Sequence, residues 1–80
     1  MSIIQSDNKT HEKTANNAEM TRQVAVAAAV AAGGGSAAVA LAVKNAEATY
    51  YRSVIASCVA NNIEAGAFRE GLHNLTGQWV

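Results

Sequence analysis

Residues Val24 to Val43, VAVAAAVAAGGGSAAVALAV, run for twenty positions without a charge, and three consecutive glycines interrupt them near the middle. A run of this length can cross the hydrocarbon core of a bilayer. Its apolar strength is weaker than its length. The five Val and one Leu of the run contribute roughly −2 to −4 kcal/mol together on the membrane-insertion scale, where Ala is nearly neutral. The span is borderline, and closer to a packed helix than to one facing lipid.

Gly33, Gly34 and Gly35, followed by Ser36, are the strongest punctuation in the chain. Each glycine in a helix interior costs about 1 kcal/mol relative to alanine. Three in a row read as a turn or sharp hinge. The expected fold is therefore all-α, either a helical hairpin with Ala18–Ala32 set against Ala37–Ala60 or an elongated broken helix. Helix is expected from about residue 16 to 76, with no strand. Asn16 or Asn17 can cap the first turn, and Glu19 follows Asn16 at capping-box spacing. No proline occurs to break a helix.

Residues 1–15 are polar and charged, and read as a flexible leader ahead of one helical assembly domain at 16–80. The leader lacks the early apolar stretch of a secretory signal peptide. It also fits an uncleaved export signal of the type III secretion kind, which is polar and rich in Ser, Asn and Thr. Farther on, Tyr50, Tyr51, Val54, Ile55, Cys58 and Val59 follow three- and four-residue steps and make one apolar helix face. Asn61 and Glu64 match a capping box, so a restart or kink of the helix is expected there. Phe68, Leu72 and Leu75 form a short stripe read as packing on the preceding helix, with Gly77 placed to stop it and Trp79 and Val80 as an apolar tail.

The material for a core is thin. One Phe, one Trp, two Tyr and three Leu accompany eighteen Ala among the eighty residues, and an alanine methyl buries little apolar area at about 25 cal/mol per Å². Chains of this size are marginal without a staple or a partner. The shortage points outward, to copies of the same chain or to lipid. The surfaces expected to pack between subunits are Val24, Ala28, Ala31, Ala38, Val39, Leu41 and Val43 in the uncharged run. Tyr51, Val54, Ile55, Val59, Phe68, Leu72 and Leu75 continue them along the later helices.

Chemistry-bearing patterns are absent from the sequence. Six basic residues balance six acidic ones, which gives a nucleic acid nothing to attract it. Cys58 is the lone cysteine, His11 and His73 lie far apart, and no metal or cofactor is expected. Cys58 reads as a small buried hydrophobe with no base beside it in sequence. Ser53, Ser57, Glu70 and His73 show no nucleophile–base spacing, and GGGS is not followed by the Lys-Ser/Thr pair of a phosphate loop. No enzyme activity is expected.

A small, all-helical chain with a polar leader and Ala/Gly-rich packing stretches resembles type III secretion filament subunits. It is more loosely similar to the helical coat proteins of filamentous phages and to conjugative pilins. The turn GGGS differs from the proline-containing turn usual in secretion needles, and the cleavable signal normal for pilins is missing. The resemblance implies a structural subunit of a helical filament, a pilus, secretion filament or virion-like assembly, outside the cell or at its surface. The alternative expectation is a small single-span protein of the inner membrane, holin-like or an accessory subunit, with residues 24–43 in lipid.

Overall fold

The computed structural model describes residues 2–79, with side chains described from Lys9 onward. Val80, half of the expected apolar tail, lies outside the described residues. The described residues form three helices: α1 at Ser2–Ala31, α2 at Gly35–Ala60 and α3 at Gly66–Thr76. No strand occurs among the described residues. The all-α hairpin is the form adopted, with α1 and α2 antiparallel about the glycines and α3 folded back onto α2.

The turn is built as the glycines suggest. Gly33 and Gly35 hold φ of +69° and +82°, a region that costs an L-residue about 1–2 kcal/mol. Gly34 sits at an ordinary φ of −81°, where an added Cβ would come 3.2 Å from the Cβ of Ala38. Replacing Gly33 or Gly35 by alanine is therefore expected to destabilise the chain by about 1 kcal/mol each. Gly34→Ala should change stability less. Thermal unfolding followed by circular dichroism checks all three, and uniform stabilisation would contradict the hairpin.

Helix α1 starts by Ser2, not at Asn16 or Asn17. Helix α1 runs unbroken through residue 16, where the sequence reading divides a polar leader from the helical domain. No glycine or proline interrupts residues 2–32, and the other arm of the hairpin gives the polar segment something to dock on. His11 reaches Ser57, and Ala15 and Ala18 pack against the core. Glu19 does not close a capping box; it pairs with Arg22 one turn onward.

The second junction is a restart of the helix, with its caps arranged differently from the capping-box spacing. Asn61 ends α2 rather than starting α3: its backbone N–H donates to Ser57 and Cys58 carbonyls, and its side chain donates to the Ser57 carbonyl at 2.8 Å. Asn62 takes a left-handed φ of 57°, which Asn tolerates better than most residues. Glu64 then accepts the Gly66 N–H at 2.7 Å, satisfying one of the free donors at the start of α3. At the far end Gly77 adopts φ of 78° and donates to the His73 carbonyl, the left-handed stop its position implied. Trp79 stacks on His73 with ring centroids 4.0 Å apart.

The core sits at the end of the hairpin away from the turn. Ala48, Val54, Ile55 and Cys58 of α2 meet Ala65 and Leu72, with Ala15, Ala18, Tyr50, Tyr51, Ile63, Phe68 and Leu75 around them. Helices α1 and α3 each pack on α2, and among the described residues they do not pack on each other. The result is elongated, 50 × 25 × 12 Å with a radius of gyration of 14.5 Å. A compact chain of this length would have about 12 Å.

Candidate association surface

The uncharged stretch is the least buried part of the hairpin. Within residues 24–43 no side chain reaches full burial. Val26, Ala29, Val39, Ala42 and Val43 are half-buried between the two arms, and the rest are exposed. Val24 is 68% exposed, Val30 60% and Leu41 59%, fractions typical of polar surface positions rather than of Val and Leu in a packed helix pair. Helical geometry explains this. Each arm has a full circumference of small apolar residues, and one neighbouring helix covers only one side of it.

The residues expected to pack between subunits divide accordingly. Val24, Ala28, Ala31, Ala38 and Leu41 lie exposed on the tip, and Val39 and Val43 are half-buried between its arms. Val59 is exposed at the opposite end of α2. Val54, Ile55 and Leu72 are instead spent inside the chain, at 0%, 5% and 1% exposure, and Tyr51, Phe68 and Leu75 pack around them. Val54, Ile55 and Leu72 are thus buried within one chain, where α3 returns onto α2, while Tyr51, Phe68 and Leu75 are half-buried and keep part of their surface outward. Phe68, Leu72 and Leu75 thereby make the expected contact with the preceding helix.

One flank of the hairpin forms an open groove of about 420 Å³. Ala18, Thr21 and Ala25 of α1 line one wall, Ala42, Asn45 and Thr49 of α2 the other, with Arg22, Tyr50 and Ser53 beside them. These are mostly small side chains, which let a further helix approach closely. The groove carries little electrostatic character. Arg22 donates from Nε and Nη2 to Glu19 at 2.6 and 2.7 Å, so its charge is matched within the chain. Those bonds, with a third from Gln23, hold the pKa of the Glu19 carboxyl at about 2. Whatever support the pair gives is complete above the ordinary carboxylate range and is lost as pH falls toward 2. Both groups are partly exposed to solvent, so that support is small.

The groove residues and Met20, 64% exposed on the outside of α1, are not among those expected from sequence. A usable signal does exist. Once the turn is placed at Gly33–Gly34, antiparallel register sets Arg22 across from Asn45 and Ala46, and the flanking positions follow.

The same register brings His11 to Ser57 and Cys58. His11 Nδ1 shares a hydrogen bond with Ser57 Oγ at 3.0 Å, and its Nε2 lies 3.9 Å from Cys58 Sγ. Cys58 thus has a base beside it in space, contrary to the expectation from sequence. Its thiol is nevertheless fully buried, and burial pushes its pKa up, with Arg69 opposing less strongly. A buried, protonated thiol is a poor nucleophile. A thiol reagent at pH 7 is therefore expected to label Cys58 more than tenfold more slowly in the folded chain than in denaturant. Equal rates would show that the end of α1 does not stay docked on α2. Among the described residues, no three His, Cys, Asp or Glu side chains gather where they could hold a metal.

Among the described residues, no helix is long and apolar enough to cross a membrane. The uncharged run bends back on itself at Gly33, so each half contributes to a separate helix. No protein family, curated protein or solved structure matches the chain.

Proposed function

We propose that the chain is a structural subunit that self-associates through the tip of its helical hairpin and builds a helical filament, such as a pilus, secretion filament or virion-like assembly. One observation carries this reading: the stretch from Val24 to Val43 holds no charge and no buried residue. Contiguous exposed apolar surface of this kind marks association. Total accessible surface supports it too. The chain exposes 5408 Å², about 800 Å² more than a compact protein of its mass would expose. That excess is about what one partner contributes to a standard protein–protein interface. The reading places the subunit in a filament outside the cell or at its surface.

A second reading has its own support. Arg22 and Lys44 bound the uncharged run on its two arms. Roughly ten residues per arm rise about 15 Å, half the thickness of the hydrocarbon core. The hairpin could then dip into one leaflet of the inner membrane in place of a single span. The turn argues against this, because its free N–H groups would sit deepest, where lipid cannot satisfy them. Sedimentation of the purified chain without detergent, beside flotation with lipid vesicles, separates the two. Large particles in buffer, with no flotation, are expected. A monomer that floats with vesicles would replace the filament by the leaflet hairpin.

A further inference from the structure

Self-association leaves open which surface meets which, and the two flanks of α2 differ in a way that bears on it. One flank is closed by α3, which covers Ile55 and Cys58. The other is the open groove between Ala18, Thr21 and Ala25 on α1 and Ala42, Asn45 and Thr49 on α2. Among the described residues, α3 packs on α2 away from it, and the groove is lined by α1 and α2 alone.

The larger exposed side chains lie elsewhere. Met20 and Val24 are 64% and 68% exposed, and their spacing of four puts them on one face of α1. That face is neither the one that meets α2, marked by His11, Ala15 and Ala18, nor the groove wall at Thr21 and Ala25. The chain therefore carries a ridge of larger apolar side chains and, on another face, a groove lined by small ones. The groove's one cation, Arg22, is already paired with Glu19, so an uncharged ridge can enter without leaving a charge unmatched.

We infer that the occupant of the groove is a second copy of this chain, which seats its Met20–Val24 ridge between α1 and α2 of the first. The inference rests on the self-association reading through the tip: Ala28 follows Val24, and Ala38 precedes Ala42, at four-residue spacing, so ridge and groove wall both run into the tip. The surplus of about 800 Å² matches one side of a stable interface, and methionine adapts its shape to an irregular slot. Ridge and groove are different patches, so the contact is heterologous. Each copy keeps a free ridge at one end of the contact and a free groove at the other. Repetition gives a ring or an open helical filament, not a closed two-fold dimer.

Two double variants test the pairing. One, Met20→Glu with Val24→Glu, removes the ridge and keeps the groove; the other, Ala25→Glu with Asn45→Glu, blocks the groove and keeps the ridge. All four positions are exposed, and circular dichroism confirms that each variant still folds. If either loses helix, the same test runs with Ser at the ridge and Leu at the groove. Each variant alone should associate about a hundredfold more weakly than the native chain, since a charge would be buried unpaired. Mixed one to one, they should form a discrete heterodimer by sedimentation and nothing larger. A mixture that stays monomeric while the native chain assembles would overturn the ridge-in-groove contact alone, as would assembly of either variant by itself. A native chain that never assembles would overturn the self-association reading as well.

Discussion

Leu72→Ala is expected to cost the folded chain about 3 kcal/mol, while Leu41→Ala, the same change in chemistry, costs its monomer well under about 1 kcal/mol. Leu72 is 1% exposed and is among the largest fully buried side chains, packed with Val54, Cys58 and Ala65 between α2 and α3. Truncating it removes buried methyl groups and leaves a cavity, a change that costs about 2–5 kcal/mol in helical cores. The entire stability of a chain this size is roughly 4–12 kcal/mol, so this single side chain is a large share of it. A loss of about 3 kcal/mol lowers Tm by roughly 10–20 °C. Leu41, 59% exposed, has little to lose in the monomer. Urea unfolding at low protein concentration, where the chain is monomeric, reads both. Equal losses would mean that α3 is not docked, or that the tip is covered within the chain.

The second large effect is on assembly. Ala28 and Ala38 are exposed, one on each arm of the tip. Replacing both by Asp should leave the monomer helical, because each site faces water and aspartate costs a helix only about 0.6 kcal/mol. Covering those sites with another copy would bury two unpaired carboxylates, at several kcal/mol each. Association should then weaken by about a thousandfold or more. Sedimentation equilibrium of the double variant beside the native chain measures it, and unchanged assembly would place the tip in solvent.

The turn and the last helix are legible in the sequence alone. Positive φ at Gly33 and Gly35 and the left-handed stop at Gly77 follow from what glycine alone adopts easily. The Phe68, Leu72 and Leu75 stripe shows its period on α3, and α2 covers it. The start of α1 is harder to read. Ser, Asn and Thr between residues 2 and 17 form helices weakly by themselves; docking across the hairpin, through His11 and Ala15, decides in favour of helix. Asn61 and Glu64 show a different limit. Their spacing is that of a capping box, yet Asn61 is held by Ser57 behind it and Glu64 reaches only Gly66. Spacing cannot say which of two adjacent helices a cap belongs to.

The apolar faces carry the most consequential ambiguity. Val54 and Leu41 look equally apolar in sequence, but the first is fully buried in the core and the second is 59% exposed. A three- and four-residue period reports that a face needs cover, not whether the cover lies in the same molecule. The groove between Ala25 and Ala42 has no periodic signal at all, because alanine surrounds both arms.

Thiol accessibility at the tip tests most directly whether Val24–Val43 is covered by neighbouring copies. A chain carrying Ala28→Cys, with the buried Cys58 replaced by alanine, places one reactive group on the exposed arm of α1. Labelling should be fast when the chain is dilute and monomeric, and should slow by about tenfold or more as concentration drives assembly. A labelling rate that stays constant from the monomer through the assembled particle would contradict the tip as the surface that holds the subunits together.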